Sequence, residues 1–380
     1  MVRLSEDLTV SLRAVIDSSP LAGLGPIELG RIAGVDKTFA SRLMSALRTS
    51  DPLVALSLLP GVVPLRQFLT AVEARGAGSR PVQGAEKALR AFDHELQRSF
   101  GTRTRLDAVI SDSLPEARRR HEVSARQAVY RGMAMIKGAS IDIESCTWIV
   151  HPSRKKPKRV DVLFLAGFVG IHRLRPTARV RLGASYRAGA PDTSARLLRE
   201  FCRPSGLTVT TTSEKVFTYY EISTASVRRD SAADVYLTEM LEGAAPRSEP
   251  ATKQETWSVG DVVTYPIKRL DLTLLIHRDV WPDRDFSLEA YDTAGRGLAT
   301  LPDPERDFDR LSFNARALRC VADDEALRAS AVPDYAKIVR HLTAQVGWRL
   351  EDSSGRPMFR KISFEVAYPL HGSQIMLVPE

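Results

Sequence analysis

The chain has 380 residues, a length that suggests two or three domains. Its 43% hydrophobic and 26% charged residues are ordinary for a soluble globular protein, and three widely spaced cysteines, Cys146, Cys202 and Cys320, exclude a disulfide framework or a cysteine metal site. The net charge is +8, and residues 1–137 carry most of it, with 20 Lys/Arg against 14 Asp/Glu. A basic first third suits a polyanion, with nucleic acid the leading candidate.

The first element expected is a helix over 5–17, with Leu8, Val10, Leu12, Val15 and Ile16 on its apolar face. Residues 18–25 read as a loop. The next stretch, 26–48, carries the clearest functional signal. Pro26 can open a helix, because its missing N–H would be unpaired there anyway. Leu29, Ile32 and Ala33 repeat at helical spacing. Gly34 then ends the helix, since glycine takes a positive φ at little cost. Asp36 is a suitable N-cap for a second helix over about 37–48. Its inner positions are expected to be Phe39, Ala40, Leu43, Ala46 and Leu47. Gly30 lies where the second helix comes close, so a small residue fits. The free face of the second helix then holds Lys37, Thr38, Ser41, Arg42, Ser45 and Arg48, which can donate to phosphates and base edges in a major groove.

The run Leu-Gly-Arg-Ile-Ala-Gly-Val-Asp-Lys-Thr-Phe-Ala-Ser-Arg-Leu-Met-Ser-Ala-Leu resembles the helix-turn-helix of bacterial transcriptional regulators of the lac-repressor and IclR kinds. The resemblance spans about 20 residues. It implies a recognition helix that binds double-stranded DNA, with the protein acting as a homodimer on a two-fold-related site. Arg42 is then the base-reading candidate and Lys37 a phosphate contact. Asp36 stands where these families usually have serine, and Phe39 where a small polar residue is usual. The IclR order also calls for a β-hairpin wing, but 51–74 reads as helix, Pro-Gly break, helix.

Further helices are expected at 84–99, 104–112 and 114–137. In the last of these, Ala125, Val129, Met133 and Ile136 form one stripe. Arg118, Arg119, Arg120 and Arg126 lie early in it, as a basic end for phosphates or as a solvated face. From residue 139 the pattern changes to alternating, β-branched runs at 140–150, 158–173, 178–186, 207–224, 256–277, 285–292, 311–321, 359–368 and 373–379, the mark of an α+β region. Residues 240–255 are polar and read as a linker. Two pairs of segments look alike: 171–186 with 276–291, and 195–222 with 336–366. They suggest an internally duplicated β-hairpin/helix unit, with the helix positions Leu197, Leu198 and Phe201 matching Ile338, Val339 and Leu342. Five cations, Arg154, Lys155, Lys156, Lys158 and Arg159, sit in a loop between two strands and can contact phosphate.

No P-loop, dinucleotide fingerprint or Gly-x-Ser-x-Gly elbow occurs. The seven histidines are scattered. His172 and His277 fall at matching places in the two similar segments, and strand-end packing suits them better than a shared site. Asp283, Asp285 and the carboxylates of 303–309 read as solvated loop residues.

The expected fold class is multidomain: an all-α N-terminal helix-turn-helix domain plus an α+β C-terminal region. The expected limits are 1–112 for the helical domain, 113–138 for a connector or dimerisation helix, 139–239 and 256–380 for two α+β units, and 240–255 for the linker. The expected protein is a DNA-binding transcriptional regulator rather than an enzyme. It uses no cofactor or metal, and its C-terminal region senses a small-molecule or protein effector or mediates assembly. The alternative is a non-enzymatic interaction or scaffold protein. The start has no apolar signal segment and no run of about 18 apolar residues exists, so the expected location is the cytoplasm, without a membrane span.

Overall fold

The computed structural model describes residues 1–175, 177–183, 196–205, 208–214, 217–222, 232–248, 257–298, 304–313 and 315–380. The chain divides into two compact units, Met1–Ser124 and Ala125–Glu380.

The first unit is helical. Its elements are α1 (Val2–Asp17), α2 (Pro26–Ala33), α3 (Lys37–Arg48), α4 (Pro52–Leu58), α5 (Val62–Glu73), α6 (Ser79–Ser99), α7 (Arg103–Ser113) and the first part of α8 (Pro115–Lys137). Each amphipathic helix turns its apolar stripe into one core. Leu8, Leu12, Leu29, Leu43, Phe68, Leu89 and Phe92 are fully or almost fully buried in it. Val10, expected on the inner face of α1, is exposed instead. No strand pair follows α3, so the unit has no wing: α4 and α5 occupy that part of the chain. Pro60 and Gly61 separate these two helices, which bend by 84° at the break. Among the described residues no single helix is long and apolar enough to cross a membrane. The apolar side chains Leu56, Leu65, Phe68, Leu69 and Val72 of the bent pair lie in the helical core.

The second unit is built on a seven-stranded sheet. Its strands are β1 (Ala139–Pro152), β2 (Arg159–Arg173), β4 (Arg196–Leu197), β7 (Ala233–Pro246), β9 (Ile267–His277), β11 (Arg316–Val321) and β12 (Phe359–Ala367), in the order β11-β12-β9-β1-β2-β7-β4. β1 lies at the centre, antiparallel to β2 and parallel to β9. Two three-stranded sheets accompany it. One is β3 (Val180–Gly183), β6 (Phe217–Ile222) and β5 (Val209–Glu214); the other is β10 (Phe286–Asp292), β13 (Ser373–Pro379) and β8 (Val259–Val262).

The alternation of β1 explains the layers. Cys146, Trp148 and Val150 point into a core shared with the small sheets. Ile149 points the other way, beneath α10 (Tyr335–Gln345) with its Ile338, Val339 and Leu342; the short α9 (Asp324–Arg328) adds Leu327 to the same core. Thr147 Oγ1 lies 3.0 Å from the Tyr335 hydroxyl and ties sheet to helix.

Several expectations are corrected here. The segments 139–239 and 256–380 are not separate units. β9 pairs with β1 over nine residues, which fuses them into one sheet. The linker expected at 240–255 begins as sheet, because β7 runs to Pro246 and pairs with β2; residues 249–256 lie outside the described residues. The boundary near 112 lies within α8 instead, after Ser124. The duplication also fails. Residues 196–201 form a two-residue strand and a 3-10 turn, where the matching segment forms α10. Likewise β6 joins a small sheet, whereas its proposed match β12 joins the large one.

The apolar stripe of α8 lies largely at the surface. Ala125 is exposed, and so are Val129 (40%) and Ile136 (69%); Met133 is half-buried, and the helix packs through the neighbouring side. There Tyr130 meets Tyr368 at 5.4 Å, and Arg126 is buried with its guanidinium 4.9 Å from the Phe313 ring centre. Arg126 is therefore a packing residue rather than a phosphate contact.

Candidate nucleic-acid interface

The turn between α2 and α3 is set by three residues. Gly34 takes φ 72°, ψ 30°, the left-handed conformation that ends α2, and Val35 N–H donates to the Gly30 carbonyl at 3.0 Å. A Cβ on Gly30 would stand 3.0 Å from the Val35 carbonyl oxygen and 3.6 Å from Ala40 Cβ, so glycine permits the close approach of the two helices. Asp36 then caps α3, its Oδ1 accepting from the Phe39 N–H at 2.8 Å. Asp36→Ala is expected to destabilise the helical unit by about 1 kcal/mol. Urea unfolding followed by circular dichroism measures this; a cost near zero would mean that the cap is dispensable.

The acid at the start of α3 thus has a structural role, and so does Phe39. The Phe39 ring is buried, 5.6 Å from the ring of Phe68 on α5. Ala40, Leu43, Ala46 and Leu47 are buried beside it. Lys37, Thr38, Ser41, Arg42, Ser45 and Arg48 are all exposed. Helical spacing of 100° per residue places Ser41 and Ser45 at the middle of that free face, Thr38 and Arg48 on either side of them, and Lys37 and Arg42 toward its edges. There the Arg42 guanidinium leans toward the end of α4, with Nη2 3.5 Å from the carbonyl oxygens of Ser57 and Leu59. Partial burial and the charge of Arg103 lower its pKa from the ordinary guanidinium value.

The basic loop belongs to the second unit and is exposed along its length. Three of its five cations already hold protein partners. Arg154 donates to the Gly347 carbonyl at 2.7 Å, Lys155 pairs with Glu242 at 2.6 Å, and Arg159 donates to the Gly243 carbonyl at 2.7 Å. The side chains of Lys156 and Lys158 make no such contact among the described residues, and Lys158 borders an open depression of about 500 Å³ with Arg247, Asp279 and Trp281.

The two histidines of the similar segments are not brought together. His172 sits beside Ser140 at the start of β1, whereas His277 follows Ile276, which pairs with Val150 near its end. His172 Nε2 lies 2.9 Å from Asp142 Oδ2, and Lys268 holds the other oxygen at 2.6 Å. His277 packs its ring 4.8 Å from that of His151, which stacks on Trp348 at 4.7 Å. Burial first, then the neighbouring His151, pushes His277 down to about 4, so it is a neutral packing residue at pH 7. Asp285 is held by Arg319 at 2.7 Å, and Asp309 by Arg306 at 3.0 Å. Among the described residues no three His, Cys, Asp or Glu side chains gather at metal-binding reach.

Two groupings were not legible in the sequence. Arg103 and Arg120 approach Arg42 from α7 and α8, and nothing in the spacing of these three residues announces it. Glu144 on β1 and Asp261 on β8 face each other in the sheet interior, with Cys146 beside them. Burial raises both carboxyls, Glu144 well above the usual range. Glu144 Oε2 and Asp261 Oδ2 are buried with no hydrogen-bond partner among the described residues, an arrangement that favours the protonated form of a carboxyl. The alternation of β1 shows Glu144 on an inward position, but only the packing of β8 supplies its partner.

By fold, the chain combines a helical unit with a mixed α/β unit. No protein-family model matches it, and no curated protein shows significant similarity. Among solved structures it has a slight likeness to a presumed protease from Parabacteroides distasonis, with 8% identity and a TM-score of 0.32. The match covers 64% of this chain and 40% of that one, so the chain spans about two fifths of the other protein's length. A likeness this slight assigns neither fold nor activity.

Proposed function

We propose that the chain is a DNA-binding regulator in which α3 enters the major groove and the second unit senses an effector or mediates assembly. The observation that supports this most is the free face of α3: six exposed polar or cationic side chains on a helix whose other face is wholly apolar and buried, set behind a tight glycine turn. Thr38, Ser41 and Ser45 reach base edges, and Lys37 and Arg48 position the helix on phosphate. One such helix makes few base contacts, so a dimer on a two-fold site is expected. The exposed Val129, Met135 and Ile136 of α8 offer apolar surface for that association.

The test is a selection of bound sequences from a randomised duplex pool, followed by titration of the enriched and random DNA. Ser41→Ala combined with Ser45→Ala is expected to narrow the gap between the two by about 1–3 kcal/mol. Lys37→Ala is expected to weaken both alike and to flatten the salt dependence. If wild-type protein binds no duplex at modest salt, the DNA reading fails and a protein-interaction role takes its place.

A further inference from the structure

The end of α4 carries more positive charge than its surroundings balance. Three guanidinium groups converge there from three different helices. Arg42 of α3 approaches the carbonyls of Ser57 and Leu59 at 3.5 Å. Arg103 of α7 donates to the Leu56 carbonyl at 2.7 Å and to Asp107 Oδ1 at 2.7 Å. Arg120 of α8 donates to the Ser57 hydroxyl at 2.8 Å. The three are near enough that the charges of Arg103 and Arg120 both disfavour the charged form of Arg42.

Capping accounts for only part of this. The exposed carbonyls of a helix end supply at most roughly half a negative charge. Asp107 is the one carboxylate whose charge offsets theirs at Arg42. Three cations against those two sources leave an excess of roughly one and a half charges. The hydrogen bonding is also incomplete. Arg103 Nη1 is buried with no acceptor among the described residues. The two Arg42 contacts are at the outer limit of hydrogen bonding, so this side chain can re-aim at little cost. An anion of one charge with several acceptor oxygens would offset the excess charge and take up the exposed donors of Arg42 and Arg120.

We infer that Arg42, Arg103 and Arg120 form a seat for one phosphodiester of the DNA backbone at the edge of the recognition helix. The inference rests on the DNA-binding reading and changes one assignment within it. Arg42 becomes a positioning contact on phosphate, and base readout falls to the centre of the α3 face. Its place at the edge of that face, beside α4, suits a backbone contact. The seat draws its three arginines from helices that meet only in the folded unit, so the recognition helix is registered on DNA by the helical unit as a whole.

The test uses full-length protein with Arg42→Gln, Arg120→Gln and Arg120→Lys. Arg42 and Arg120 are exposed, and each makes few contacts with the fold. Affinity for an enriched and a random duplex is measured by fluorescence anisotropy across a salt series. Each glutamine variant is expected to weaken both duplexes by the same factor and to reduce the slope of log affinity against log salt by about one. The lysine variant should retain most of the slope. Wild-type affinity and slope in both glutamine variants would overturn the seat while leaving DNA binding intact. A loss of preference at one base pair in Arg42→Gln, with the slope unchanged, would also overturn it and return Arg42 to base readout. Absence of duplex binding by the wild-type protein would remove the seat and the DNA reading together.

Discussion

Phe68→Ala is expected to destabilise the helical unit by about 3–5 kcal/mol. Phe68 is fully buried on α5, and its ring packs 5.6 Å from Phe39, on the inner face of α3. Removing it opens a cavity behind the helix that carries the proposed DNA-contacting residues. Domains of this kind have about 5–15 kcal/mol of stability in total, so the loss is a large fraction of what holds the unit together. Exposed Val63 on the same helix is the control, and Val63→Ala should change stability by no more than about 0.5 kcal/mol. Urea unfolding of the two variants measures both effects. A Phe68→Ala cost no larger than that of Val63→Ala would show that α3 does not depend on this contact. The same variant bears on function without touching the proposed interface. At temperatures where the unit begins to unfold, duplex affinity should fall on every sequence alike, because the scaffold rather than a contact has been lost.

The second large effect concerns the buried carboxyl pair. Glu144 is 3% exposed, and burial together with the facing Asp261 raises its pKa well above the usual range; burial also raises Asp261. Between the ordinary carboxyl range and these raised values, the native state holds a proton that the unfolded chain has released. Stability must therefore fall as pH rises through that window, and it is fully restored only below the unfolded pKa, near 4. Glu144→Gln removes one titrating group and supplies a permanent donor to Asp261. Relative to wild type, the variant is expected to gain stability between pH 4 and pH 8, by about 1.4 kcal/mol for each tenfold change in proton affinity that is removed. Unfolding free energies at pH 4, 6 and 8 decide it. An equal difference at all three would show that the pair does not titrate in this range.

The sequence alone determined much of the helical unit, for a physical reason. Helix limits are local: Pro26, Gly34 and Asp36 act within a few residues of themselves, and the stripe from Phe39 to Leu47 repeats within one helix. The free face of α3 follows from that periodicity, so its six candidate residues were legible, and so was helical structure in place of a wing. The strands β1, β2, β12 and β13 were legible from alternation. What the sequence could not supply was partnership across long separations. Nothing local places β9 against β1, makes 240–246 the end of a sheet strand, or separates β6 from β12 into different sheets. Helical periodicity identified a stripe on α8 but not the side that packs, and tertiary structure buried Arg126 against Phe313 while leaving Val129 and Ile136 exposed. The same holds for the clusters that carry charge. Arg42, Arg103 and Arg120 meet because α3, α7 and α8 converge on the end of α4, and Glu144 meets Asp261 because a small sheet packs on a large one. Propensity and pattern act along the chain, whereas these contacts are decided by which surfaces are buried together.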